Sequence, residues 1–342
     1  MPSQLIEPLS PPSATSSSFL QPISWGKVKR RFLGISLEEV TVIRRGFQIT
    51  DPQKQERVEQ IGMTFLTGYH GAIAAESLEK LVIELNAIDS EYQGFAYEGA
   101  AMGLTLSDFF TPWQGNRLQP FLTGAGDTYV YLAYVGMGWA LSRLPGGISR
   151  YLPTLNRADN SQSQSSLLGW LAIDGYGFHQ GYFYWRAQVE KQSIPKNLSG
   201  YAVRAFDQGL GRSLCFVLGL DVKRIAATIQ LFSETRRADL WSGVGLASAY
   251  AGGLSPSEMM ELGELSQTYL PDLAQGIAFA AKARLRAGYL PKHTEQICQL
   301  IWQQSSVAVA VITDEALVNL PVDDITPAYE FWRSRIKNKF KV

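Results

Sequence analysis

Apolar and polar positions along this chain follow a helical period, and small residues punctuate that pattern at a fixed phase. Six segments superpose: YEGAAMGLTL from Tyr97, YVGMGWALSR from Tyr134, IDGYGFHQGY from Ile173, DQGLGRSLCF from Asp207, WSGVGLASAY from Trp241 and AQGIAFAAKA from Ala274. A weaker seventh, LTGYHGAIAA, begins at Leu66. Their first glycines, Gly68, Gly99, Gly136, Gly175, Gly209, Gly243 and Gly276, are separated by 31, 37, 39, 34, 34 and 33 residues. Two positions further on stand His70, Ala101, Gly138, Gly177, Gly211, Gly245 and Ala278, and four positions on Ala72, Gly103, Ala140, His179, Ser213, Ala247 and Ala280. On a helix the first and fifth of these places share a face, while the third points nearly opposite. Each such helix thus carries small residues on two sides, as a helix squeezed between two neighbours requires.

A glycine inside a helix costs ~1 kcal/mol relative to alanine. A dozen of them cost on the order of 10 kcal/mol, comparable with the stability of a whole domain, so close packing has to offset the loss. A period near 34 residues is that of a helix–turn–helix unit. The expected fold is therefore all-α, with about seven tandem helix-hairpin repeats of ~34 residues each. Either a tetratricopeptide-like α-solenoid or a closed α/α toroid satisfies that pattern.

Second helices are expected over Ser77–Ser90, Asp221–Glu234, Ser255–Tyr269 and Lys292–Gln304, which carry apolar residues at helical spacing. Asp221, Ser255 and Pro256 suit N-cap and N1 places. Asp239 and Asp272, each four residues before a motif glycine, read as caps of first helices. Pro112–Pro120 and Pro145–Ser166 are rich in turn residues and read as surface loops. The chain divides into a Ser/Pro-rich disordered arm (1–24), a basic lead-in (25–50), the helical-repeat region (51–304) and C-terminal capping helices (305–342).

Composition narrows the function. The 31 basic and 31 acidic residues of the 342 cancel, which disfavours nucleic acid as a partner. The local cluster Lys27, Lys29, Arg30, Arg31, with Arg44 and Arg45 behind it, reads as a solvated basic segment, with an acidic partner or lipid headgroups as the alternative. No uncharged stretch reaches the ~20 apolar residues of a membrane span, although peripheral contact with a membrane stays open. Cys215 and Cys298 stand in apolar helical sequence without a partner motif, as buried thiols of a cytoplasmic protein would. No secretory signal is visible, no histidine spacing suits a metal, and nothing names a cofactor.

The chemistry concentrates one place before the motif glycine, where Thr67, Glu98, Val135, Asp174, Gln208, Ser242 and Gln275 form a mostly polar ladder. It either ties neighbouring helices together by hydrogen bonds or lines a ligand groove. Glu98, Asp174 and the adjoining Asp207 are candidate catalytic acids, since burial among aromatics raises a carboxyl's pKa towards that of a general acid. His179, standing where other motifs carry a small residue, is the candidate base, against a plain core histidine. Tyr97, Trp139, Tyr176, Gln208, Arg212, Trp241 and Gln275 are the candidate ligand-binding residues. Arg212, Arg236 and Arg237 fall beside Asp207 and Asp239, as in an arginine–carboxylate network between units.

The segments GFAYEGAAMG (Gly94 to Gly103), IDGYGFHQGYF (Ile173 to Phe183), FDQGLGRSL (Phe206 to Leu214), RRADLWSGVGLASAYAGG (Arg236 to Gly253) and LAQGIAFAAKAR (Leu273 to Arg284) resemble a bacterial domain-of-unknown-function family associated with enediyne biosynthesis. The resemblance runs from about Lys29 to Asp314. It implies a cytosolic accessory protein in the maturation of an enediyne-like polyene polyketide, and it supplies no catalytic residues. Two functions follow as expectations. One is an enzyme acting on a long unsaturated chain, a hydrophobic polyene-like small molecule, in an aromatic, glycine-lined cavity. The other is a non-catalytic α-solenoid scaffold that docks a polyketide synthase or other pathway proteins.

Overall fold

The computed structural model describes residues 32–155 and 164–340. The arm at 1–24 and the residues Lys27, Lys29, Arg30 and Arg31 lie outside them. Among the described residues there are sixteen α-helices and no strand. The helices are α1 (Val42–Arg45), α2 (Pro52–Ala74), α3 (Leu78–Asn86), α4 (Ser90–Phe110), α5 (Leu118–Thr123), α6 (Val130–Leu141), α7 (Gly147–Leu155) and α8 (Gln164–Phe183). They continue as α9 (Tyr201–Val217), α10 (Val222–Leu231), α11 (Glu234–Ala251), α12 (Pro256–Ser266), α13 (Leu270–Arg286), α14 (Lys292–Ile297), α15 (Ser306–Leu317) and α16 (Ala328–Lys339). No described helix is long and apolar enough to cross a membrane.

Local chemistry sets many helix starts. The Asp51 carboxylate accepts from the backbone N–H groups of Gln53 and Lys54 at the head of α2, and Pro52 follows it. Asp221 caps α10, and Ser255 forms a reciprocal capping box with Glu258 at α12, with Pro256 in the first turn. Ser255→Ala is expected to lower stability by about 1 kcal/mol in a chemical melt, the usual value of such a cap. Asp239 is not a cap: it lies inside α11 and is buried. Asp272 sits in the first turn of α13, after the N-cap Tyr269. The two stretches expected as loops carry helices, α5 in the first and α7 in the second.

The seven motif helices, α2, α4, α6, α8, α9, α11 and α13, pack in that order, each on the next, and α15 packs on α13. Glycine makes this possible. A Cβ on Gly136, Gly175, Gly209, Gly243 or Gly276 would come within 2.0 Å of a backbone oxygen, that of Glu98, Val135, Asp174, Gln208 or Ser242 respectively. In every case that oxygen belongs to the residue just before the preceding motif's glycine. A Cβ on Gly138, Gly177, Gly211 or Gly245 would come within 2.1 Å of the oxygen of Ala172, Phe206, Leu240 or Leu273, three places before the next motif's glycine. The first glycine of each GxG therefore seats the preceding helix, and the second seats the following one.

This geometry corrects the register of the first motif. Gly68 meets the oxygen of Ala96, the contact made elsewhere by second glycines, while Gly99 meets that of Phe65. Leu66 thus holds the first-glycine place, and the step to Gly99 becomes 33 residues. Phe65 replaces Thr67 in the ladder, and Thr67 is exposed.

Contacts also join the beginning of the helix series to its later members. Lys54 on α2 pairs with Glu258 at the head of α12 and donates to the carbonyl of Leu220. Arg57 bonds the carbonyl of Ala251 and the carboxylate of Glu91. Arg284 of α13, fully buried, donates to the carbonyls of Glu91 and Tyr250. The lead-in lies along the motif helices, with Tyr69 Oη donating to the Leu33 carbonyl and Trp185 Nε1 to that of Arg45. Arg44 and Arg45 both pair with Glu39 rather than forming a free basic patch.

Candidate functional site

Side chains from six motif helices converge on one cavity of about 50 Å³. Phe65 of α2, Phe95 and Glu98 of α4, Trp139 of α6, Phe178 and Tyr182 of α8, Arg212 and Phe216 of α9, and Tyr250 of α11 all line it, with Val40 of the lead-in. A second cavity of about 40 Å³ shares Arg212, Leu246 and Tyr250 with the first. Its other walls include Tyr131, Leu171, Phe279, Lys282 and Trp332 of α16. Both are apolar except for a few groups gathered around Arg212.

Those groups are short of positive charge. Arg212 Nη1 binds Asp174 Oδ1, and both side chains are buried. Burial pushes the carboxyl of Glu98 from 4.5 up to about 7; Arg212 opposes the rise and Asp174 adds to it. Burial also raises Asp174, against the pull of Arg212. Two carboxyls thus share one guanidinium, and Glu98 is the one left near neutrality. Trp139 Nε1 lies near enough to Glu98 to favour its ionised form slightly, yet it meets no partner at hydrogen-bond geometry. Arg212 Nε and Tyr250 Oη are likewise buried without a partner, and so is Asp174 Oδ2.

The remaining ladder serves cohesion. Gln208 Nε2 donates to Tyr329 Oη of α16 at 3.2 Å. Ser242 Oγ donates to Gln275 Oε1 at 2.7 Å, and that oxygen also accepts from Arg333 Nε at 3.1 Å. Arg333, fully buried, reaches Asp239 at 2.7 Å, which Arg204 grips from its other side. The later members of the ladder tie helices together, and Glu98 lines the first cavity.

Other candidates fall outside the two cavities. Asp207 is gripped bidentately by Arg236, and although burial pushes its carboxyl up to about 6, it lines neither cavity. His179 does not meet Asp174. It is buried with its ring against Trp139 and Phe183, and its Nδ1 has no partner. Burial holds its imidazole down to about 3, helped by Arg143 and Arg45, so it is a poor base. Tyr97 stacks on Tyr129 and donates to Asn86 Oδ1, in a separate apolar cluster. Tyr176 packs near Phe206, and Trp241 is wholly buried. Arg237 bonds the carbonyls of Phe232 and Gln230 and, among the described residues, no carboxylate.

Phe65, Tyr250 and Trp332 were not legible as site residues. Phe65 was hidden by the two-residue register error. Tyr250 stands seven residues after Gly243 and so on the same helical face, a signal that a search confined to the glycine motif passes over. Trp332 comes from outside the motif helices altogether.

Residues 24–340 match the family described as "Protein of unknown function (DUF1702)". Among curated proteins and among solved structures nothing matches.

Proposed function

The chain belongs to the DUF1702 family, and from that premise we propose that it is a cytosolic accessory enzyme that moves protons on a long unsaturated chain held between its motif helices. The observation that carries this reading is Glu98, a buried carboxyl near neutral pKa in a largely apolar cavity walled by six motif helices. A group poised there exchanges protons in both directions at neutral pH. Asp174 is a positioning residue, holding the Arg212 guanidinium in place. His179 and Asp207 take no part in this mechanism.

The glycine contacts support equivalent hairpin repeats, and the bonds from Lys54, Arg57 and Arg284 support their closure into an α/α toroid rather than an open solenoid. The resemblance of the motifs to the enediyne-associated family supports a polyene polyketide as the substrate. At about 50 and 40 Å³ the two cavities hold a small polar head and little more.

Mass spectrometry of small molecules that copurify with the protein from a producing host tests this reading. A conjugated apolar molecule carried by the parent protein is expected, and a preparation free of any such molecule would count against it. The scaffold reading has its own observation: Phe109, Phe110 and Trp113 are exposed together at the end of α4. Full product titre from Glu98→Gln, with loss on substituting those aromatics by serine, would favour the scaffold.

A further inference from the structure

Buried polar groups are almost always paired, so an unpaired one in a native structure asks for an explanation. Three residues that line the first cavity carry such donors: Trp139 with its indole Nε1–H, which lies close to Glu98, Arg212 with its guanidinium Nε–H and Tyr250 with its phenol. Their residues are 6%, 7% and 4% exposed, and Glu98, which shares the cavity, is 3% exposed. The phenol oxygen sits directly against α4, where a Cβ on Gly94 would approach it to 2.0 Å, so Gly94 leaves room for it. Other orphaned atoms, such as Trp241 Nε1 and Arg284 Nε, line neither cavity. Here several residues with unpaired donors line one cavity together with a carboxyl.

We propose that the cavity is an oxygen-binding hole for the carbonyl of a conjugated ketone or thioester, and that Glu98 shifts a double bond of that substrate by proton transfer. This rests on the reading that an unsaturated apolar chain occupies the cavities, and it adds which functional group the chain carries. Donors aimed at a single point stabilise an oxygen that gains charge during reaction.

In the first half of the reaction the Glu98 carboxylate takes a proton from the carbon at the far end of the conjugated system. The C–H electron pair becomes part of a new C=C bond, the original C=C pair moves to the bond beside the carbonyl carbon, and the carbonyl π pair moves onto oxygen. The resulting enolate oxygen is held by the indole, guanidinium and phenol donors. In the second half Glu98 returns the proton to a carbon nearer the carbonyl, the C=O bond re-forms, and the double bond has moved. No electrons enter or leave, so no oxidant, reductant or second substrate is required.

The test uses ethylideneacetone, a short enone with a transferable proton at the far end of its conjugated system, and its isostere in which a methylene carbon replaces the carbonyl oxygen. Binding is read by NMR titration of the full chain, and proton transfer by exchange of the enone's terminal methyl protons in heavy water. The parent protein is expected to bind the enone about tenfold or more tighter than the hydrocarbon. Tyr250→Phe and Trp139→Phe should each remove about tenfold of that preference, and Tyr250→Phe should do so without lowering the melting temperature, because it deletes an unpaired donor and almost no packed volume. Glu98→Gln should slow the exchange by ~10²–10⁴. Equal binding of the two probes, or full preference in both aromatic variants, overturns the oxygen hole and leaves the apolar-chain reading standing. Binding of neither probe removes that reading and the oxygen hole with it.

Discussion

Gly243→Ala is expected to leave little or no native protein at room temperature. The added methyl would stand 2.0 Å from the Gln208 oxygen, 2.6 Å from the Arg212 nitrogen and 3.0 Å from the Gln208 carbonyl carbon. All three are backbone atoms of α9, so no rotamer change relieves the clash and the two helices must part. Overpacking usually costs ~1–3 kcal/mol where side chains give way. With backbone on both sides the cost exceeds that range and approaches a domain's net stability of ~5–15 kcal/mol. The parting would also disturb Arg212 and the wall between the cavities. A urea melt followed by circular dichroism, with Gly71→Ala as control, measures it. At Gly71 the methyl meets only the Leu81 Cδ1 at 3.3 Å and the flexible Glu84 carboxylate at 3.5 Å. That control gains the ~1 kcal/mol helix preference of alanine and melts near the parent. Equal midpoints for the two variants would show that α9 and α11 do not approach as closely as described.

On the proposed mechanism Glu98→Gln is expected to slow proton transfer and, at the same time, to gain stability relative to the parent as the pH rises from 4.5 to 7. Glu98 holds its proton more tightly when folded, with a pKa moved from 4.5 to about 7. Its contribution to stability is therefore complete below pH 4.5, declines as the pH rises through that window, and levels off above about 7. A displacement of that size amounts to about 3 kcal/mol in all. Glutamine keeps the shape and stays neutral, so the variant lacks this loss and its stability rises relative to the parent's across the window. Parent and variant share the slopes of Asp207, raised to about 6, and of Asp174, which run in the same sense. They also share those of His179 and His293, which burial holds down to about 3 and about 4 and which run in the opposite sense, so all of these cancel in the comparison. Catalysis falls by ~10²–10⁴, the usual contribution of a positioned acid–base group. Thermal melts of both proteins across that pH range, paired with product assays, decide it. Parallel stability profiles would mean that Glu98 is ionised throughout and reaches water.

Helix chemistry was open to reading because it is local. Asp221, Ser255 and Pro256 act within one turn of their own sequence, and they occupy the places that caps and first-turn prolines must. Asp239 failed for the opposite reason. Its four-residue offset from Gly243 looked like a cap, but its partners, Arg204 and Arg333, come from other helices. The insertions failed too, since α5 and α7 are short helices in turn-rich sequence, held by packing against α4 and α8.

The GxG spacing by itself determined that the chain is built from helices of one kind, each with two faces bare enough to meet a neighbour's backbone. It also placed Glu98, Asp174, Gln208 and Gln275 at one phase of those helices. A period cannot say where such helices come to rest around an axis, or what reaches them from elsewhere in the chain. Only the tertiary structure set Leu66 rather than Gly68 at the start of the pattern, because only contact with Gly99 distinguishes the two registers. It also separated Glu98, which faces a cavity, from Asp207, which Arg236 neutralises at a distance of 29 residues along the chain. Those two carboxyls read alike in sequence, since burial, nearby charge and a partner's reach are properties of three-dimensional proximity.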